Sequence, residues 1–262
     1  MSYHVLLVGG HGKVAQYLTP LLLKRSWTVT SVIRTHDQVP TIQKHGIDQP
    51  GKLNVLVYDV EKISSKRQAG DLLHELKPDY IVWSAGAGGK GSPERTFRID
   101  RDAAIHLIHA AAAIPTITRF LLISHNGSRQ LAAPWWSPGE WEKFYDWVTN
   151  GTLANYFKAK LVADEELYRV SRESKTIIGI SLRPATLTTK PAGKVTLGKT
   201  PCVHGYVSRE SVARAADGLL AAKGIRNSWV DIYDGEEDLD EAVLRVVNNN
   251  VDAAEGDPVY VR

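Results

Sequence analysis

Tyr156-Phe157-Lys158-Ala159-Lys160 sets a phenol and an ammonium four residues apart. On a helix that spacing places both on one face. A free tyrosine titrates at about 10, too high to exchange protons readily at neutral pH. A lysine ammonium within a few ångströms favours the phenolate and lowers that value. Tyr156 would then give a proton to a carbonyl oxygen, or take one back in reverse. Tyr58 and Lys62 repeat the pattern. They fall where a strand ends before a loop, and residues four apart share no face there.

The second constellation is Gly9-Gly10-His11-Gly12-Lys13-Val14-Ala15, between an apolar run and a helical pattern. Small residues let the backbone turn tightly against a pyrophosphate, while the helix start offers N–H donors and the positive dipole end. Arg34 follows the next β-branched run, where its charge and fork suit a 2′-phosphate. Asp37 lies close enough to keep NAD as the alternative to NADP. Asp59 would accept from an adenine amino group, and the small residues from Ser84 to Gly89 would let a ribose lie against the backbone. Lys160 would also hold the nicotinamide ribose.

Alternating patterns carry these residues. Strands are expected at 3–8, 27–33, 53–58, 80–83, 120–124, 176–182 and 229–233. Helices are expected at 14–22, 66–76, 93–113, 153–171, 208–222 and 238–247. Residues 130–150 break the rhythm with Pro134, Pro138, Gly139 and four tryptophans, and read as an insertion with one partial helix at 140–148. Residues 184–201 read as a loop, and 203–207 as a short strand. The alternation implies an α/β, Rossmann-type, doubly wound parallel sheet with helices on both faces. One domain spans 1–262, with substrate-side elements at 184–207. Its ligands belong beyond the carboxyl ends of the strands.

Composition narrows the rest. Of 262 residues, 43% are hydrophobic and 23% charged, which excludes disordered and fibrous classes. The charge of +3 is spread along the chain, so no nucleic-acid partner is expected. Cys202 stands alone, which excludes an intramolecular disulfide and a cysteine-built metal cluster. No apolar run reaches the roughly 18 residues of a membrane span, and no leader pattern opens the chain. The reading is cytoplasmic, without a membrane or a metal. His106 and His109 read as packing residues, and Asp164-Glu165-Glu166 as a solvated face.

Several segments, in this order, resemble the short-chain dehydrogenase/reductase superfamily, in its atypical NmrA-like and reductase-type NAD(P)-binding members. They are Gly9 through Val14, Ala85 through Arg95, Tyr156 through Leu167, Leu182-Arg183-Pro184, and Val207 through Ala213. The resemblance implies NADP or NAD as cofactor and Tyr156 with Lys160 as the catalytic pair. It implies cofactor contacts at Gly9, Gly12, Lys13, Val14, Arg34, Asp59, Val60, Ala85, Gly86, Lys160 and Pro184. There is one departure. The superfamily's catalytic serine falls one or two residues beyond the serine that ends the fifth strand, and His125 and Asn126 stand there. Ser124, His125, Asn126 and Ser128 can each donate a hydrogen bond, and Ser124 and Asn126 are the assigned assistants.

Trp135, Trp136 and Trp141, with Phe144, Tyr145 and Trp147, precede the Tyr–Lys helix. Such rings wall a pocket for an aromatic or hydrophobic substrate, or else pack the insertion or form a homodimer contact. The expected activity is NADP-dependent hydride transfer to a carbonyl, imine or enone. The alternatives are a cofactor-binding redox sensor without turnover, and a non-redox epimerase, isomerase or cyclase.

Overall fold

The computed structural model describes residues 2–88 and 92–261. Gly89, Lys90 and Gly91, from the glycine-rich segment after the fourth strand, lie outside the described residues. The strands are β1 His4–Val8, β2 Thr28–Ile33, β3 Lys52–Val57, β4 Tyr80–Trp83, β5 Arg119–Ile123, β6 Ile178–Pro184, β7 Thr186–Thr188, β8 Val195–Gly198, β9 Tyr206–Ser208 and β10 Ser228–Asp234. The helices are α1 Lys13–Lys24, α2 Val39–Gln43, α3 Lys66–Leu76, α4 Pro93–Thr96, α5 Ala104–Ala112, α6 Glu140–Asn150, α7 Ala154–Glu173, α8 Arg209–Ala221, α9 Leu239–Asn248 and α10 Pro258–Val261.

Eight strands form one sheet in the order β3-β2-β1-β4-β5-β6-β10-β8, parallel except that β8 runs against β10. β7 and β9 pair apart from it. The order reverses between β1 and β4, which makes the edge beyond their carboxyl ends the place for a ligand.

Successive strand residues point to opposite faces, and both faces are covered. Val5 and Leu7 of β1 join the core under α1, α8 and α9, while Leu6 and Val8 join the core under α3, α5 and α7. β4 and β5 divide the same way, Val82 and Leu121 to one side, Ile81 and Phe120 to the other. Side-chain caps start three of the helices. Ser65 accepts from Gln68 N (3.2 Å) at α3, Ser208 from Ser211 N (2.9 Å) at α8, and Asp238 from Asp240 N (3.1 Å) at α9.

The structure departs from expectation in three places. The helix expected at 93–113 is interrupted, because Phe97–Ala103 between α4 and α5 is wound as a π-helix. The wider winding accompanies a fully buried Asp100. Residues 184–201 are not simply a loop, since they contain β7 and β8. Their Gly, Thr and Lys content hid two strands whose pairing is tertiary. Residues 34–52 hold α2 and short 3-10 turns that periodicity did not suggest. Among the described residues, no helix is long and apolar enough to cross a membrane.

Candidate active site

A cleft of about 350 Å³ opens over the carboxyl ends of β1 to β4. Each strand hands it the residues that follow: Gly9 and Gly12 after β1, Arg34 after β2, Asp59 and Val60 after β3, Ala85 and Gly86 after β4. Gly9 has φ +84°, and a Cβ there would fall 2.6 Å from the Ala85 backbone. Only glycine allows the turn to meet β4 so closely. Gly10 answers a different demand, since its Cβ would sit 1.8 Å from Ser31 Oγ. The Gly9 and Gly10 N–H groups donate to Val32 O (3.1 and 2.8 Å), and Gly12 N to Gly9 O (2.9 Å). That leaves the first-turn N–H groups of α1 to receive an anion.

Arg34 is exposed at this cleft, and among the described residues its guanidinium pairs with no carboxylate. Asp37 does not line it. Asp59 caps a short turn by accepting from Glu61 N (3.1 Å), which leaves its other oxygen for an amino group. The tight glycine turn, the unpaired cation and the small-residue wall fit a dinucleotide.

A second cleft, of about 660 Å³, opens at the neighbouring ends of β5 and β6. Tyr156, His125 and Ser124 meet there among Phe144, Trp147 and Phe157. The His125 ring stands edge-on to Tyr156, with centroids 6.4 Å apart, and edge-on to Phe157 at 4.8 Å. Gly127 N–H donates to His125 Nδ1 (2.9 Å). A neutral imidazole held this way carries its proton on Nε2. Burial, helped by the positive charges of Arg183 and Lys160, pushes the His125 pKa down to about 3. His125 is therefore a neutral hydrogen-bond donor at pH 7. The sequence offers His125 only as one of four possible donors; the backbone contact that sets its tautomer shows in the fold.

The two assigned assistants are placed differently from expectation. Asn126 is fully buried, and its amide donates to Val203 O (2.8 Å) and Tyr233 Oη (3.0 Å), so it has no donor for a substrate. Ser124 lines the cleft, but its hydroxyl donates to Asp164 Oδ2 (2.5 Å), so toward the cleft it offers lone pairs rather than a proton. Asp164 is itself a correction. Far from lying on a solvated face, it is fully buried, and burial pushes its pKa up to about 6 against the opposing pull of Arg183. Arg183, from the Leu182-Arg183-Pro184 motif, reaches Asp231 (2.9 Å), Asp164 (3.3 Å), Ser128 O (2.9 Å) and Asn126 O (2.8 Å). One buried guanidinium thus holds the turn that presents His125.

Tyr156 and Lys160 share a face of α7, with Nζ 5.7 Å from the ring centroid. Lys160 is buried, donates to Ile123 O (3.1 Å) and lies 3.1 Å from Asp100 Oδ1. The carboxylates, Asp100 above all, hold the Lys160 pKa above its ordinary value although burial alone would lower it. The Tyr156 pKa moves up rather than down. Burial dominates, Lys160 opposes it, and Asp100 and Asp164 add to the rise. Tyr156 is therefore a protonated phenol at neutral pH. Nothing in the sequence around Asp100, which stands among Arg98, Arg101 and Asp102, marks it as the partner of a lysine sixty residues on.

Other assigned residues lie elsewhere. Lys160 lines neither cleft, and Val14 packs into the core of α1. Lys13 lines a neighbouring recess, and Pro184 the aromatic cleft instead of the dinucleotide cleft. Trp135, Trp136 and Trp141 do not wall the cleft. Trp135 and Trp136 both donate Nε1–H to Thr200 O (2.8 and 2.9 Å), and Trp141 packs on Trp136 and Phe144. They tie the insertion to the segment between β8 and β9. Only Trp147 and Phe144 of that insertion reach the cleft.

Comparison with known proteins agrees with this geometry. The NAD(P)H-binding family matches residues 9–223. The UPF0659 protein C216.03 of Schizosaccharomyces pombe is 32% identical over 249 residues, covering 92% of this chain and 94% of that protein. The uncharacterized sugar epimerase YhfK of Bacillus subtilis is 25% identical over 247 residues, covering 92% of this chain and 99% of that protein. Among solved structures, the oxidoreductase ylbE of Lactococcus lactis superposes with a TM-score of 0.70 at 21% identity, covering 94% of this chain and 97% of that one. The chain belongs to the NAD(P)H-binding family.

Proposed function

We propose that the protein is an NADP-dependent oxidoreductase that reduces a carbonyl, imine or enone of a hydrophobic or aromatic small molecule. The observation that carries this reading is the meeting of two hydrogen-bond donors, the Tyr156 phenol and the neutral His125 imidazole, at one aromatic cleft beside the dinucleotide cleft. A reduced nicotinamide bound there supplies the hydride to the substrate carbon. The chain's residues do the rest. His125 Nε2–H donates a hydrogen bond to the substrate oxygen and draws off developing negative charge. Tyr156 gives that oxygen its proton, and solvent restores the phenol afterwards. Lys160 stabilises the phenolate left behind, and Asp100 keeps the lysine charged and in place. Arg34 supports NADP over NAD because a 2′-phosphate would meet an unpaired guanidinium.

The test is NADPH and NADH binding by tryptophan fluorescence, followed by NADPH oxidation with aromatic aldehydes and ketones. Tighter NADPH binding with oxidation supports the reading, and cofactor binding without oxidation of any carbonyl overturns it. A second reading, a non-redox epimerase keeping the same cofactor, is favoured by the Ser124–Asp164 pair. Its lone pairs face the cleft and a carboxyl with a raised pKa lies behind them. Deuterium entering a recovered substrate carbon from heavy water, with no net NADPH loss, is its signature.

A further inference from the structure

We infer that a basic recess beside the aromatic cleft takes an anionic group, a carboxylate or phosphate, carried by the same aromatic or apolar substrate. The inference rests on the aromatic cleft being the substrate site. The recess, of about 400 Å³, lies between the first turns of α1, residues 188–190 and the head of α8. Arg209 lines both it and the aromatic cleft, so one molecule resting against Phe144 and Trp147 can extend past Arg209 into it.

Lys13, Lys190 and Arg209 bring three positive charges to this one space, and among the described residues no aspartate or glutamate lines either cavity. Among the described residues none of the three is in an ion pair, whereas Arg25, Arg95, Arg169 and Arg245 each have an acidic partner within 2.8 Å. Glu210 is next to Arg209 in sequence, yet its carboxylate accepts from Ala192 N (3.1 Å) and lines neither cavity. Arg209 Nη1 donates to Leu187 O (3.2 Å), which fixes the guanidinium while its other N–H groups stay available. Uncompensated cations converging on a concave site concentrate positive potential there. A pre-oriented guanidinium is the group that binds carboxylate or phosphate through two parallel hydrogen bonds. The recess shares no residue with the dinucleotide cleft, so its anion is not the 2′-phosphate assigned to Arg34.

The test is calorimetric titration of the full chain with 2-naphthylacetate and with 2-naphthaleneethanol, alike in their aromatic body and different in charge. The acid is expected to bind at least tenfold tighter, by a margin that shrinks as salt is added. In the variant Lys190→Gln the margin narrows several-fold, while affinity for the alcohol and for NADPH stays as in the parent. Equal affinities, or no binding of the acid, overturn the inference. So does a Lys190→Gln variant that loses NADPH affinity with no aromatic ligand present, since the recess would then serve the cofactor. Neither probe can be reduced, so the outcome stands apart from whether Tyr156 supports turnover.

Discussion

The dinucleotide cleft and the aromatic cleft occupy neighbouring strand ends but are built from different material. The first is made largely of backbone. Its defining contacts are a turn with φ +84° at Gly9, two N–H groups shared by Val32 O, and the bare wall at Ala85 and Gly86. The second is made of side chains from distant segments, with Tyr156 on α7 beside His125 after β5, and Ser124 held by Asp164 forty residues on. A backbone site tolerates exchange of most side chains around it. A side-chain site fails when one supporting member is lost, because its polar groups are buried and mutually committed.

Three substitutions sharpen this contrast. Trp141→Ala is expected to lower unfolding stability by about 3–5 kcal/mol, since it opens a cavity under Trp136 and Phe144. Trp147→Ala, at a ring 57% exposed, is expected to leave stability nearly unchanged and weaken aromatic ligands. Denaturant titration of both checks this, and equal losses would mean that the insertion does not divide into a packed part and a wall. Arg34→Ala should weaken NADPH by roughly 10- to 100-fold, about 1.5–3 kcal/mol for charge-assisted hydrogen bonds, and leave NADH alone. Parallel titrations decide it, and an equal loss for both nucleotides would remove the 2′-phosphate reading.

The smallest effect is in pH. The folded-state pKa of His125 lies near 3, below the value of about 6.5 expected when unfolded. Between those values the unfolded chain binds more protons, so this residue lowers stability as pH falls from 6.5 toward 3. Exchange into Gln should flatten that part of the profile by at most ~1 kcal/mol per pH unit, since the ring is only half-buried. Asp164 gives the opposite slope, because a raised carboxyl pKa stabilises below about 4 and loses that contribution as pH rises through about 6. The difference between parent and His125 variant isolates the histidine. A profile the variant does not change would mean that His125 is not held neutral.

The same contrast explains what was legible in the sequence. Gly9, Gly12, Arg34, Asp59, Val60, Ala85 and Gly86 each lie within the four residues that follow a strand, so strand patterns located them and the structure brings them together. Tyr156 and Lys160 were legible through helical spacing. The direction of the Tyr156 shift was not, because burial of the phenol in the folded chain outweighs the lysine four residues away. Ser124, His125 and Asn126 each offer a donor in the sequence, but Val203 and Tyr233 claim the Asn126 amide and Asp164 the Ser124 hydroxyl, contacts that no local pattern marks. β7 and β8 were hidden for the same reason, since their partners β9 and β10 follow later in the chain.

The central claim is that one cleft binds the cofactor and the other performs the protonation. Tyr156→Phe measured in both assays tests it most directly. The account predicts NADPH affinity within twofold of the parent and carbonyl-dependent NADPH oxidation reduced about 10²- to 10⁴-fold, the range for loss of a general acid. Undiminished oxidation in the variant, or a loss of NADPH affinity that matches the loss of rate, would contradict it.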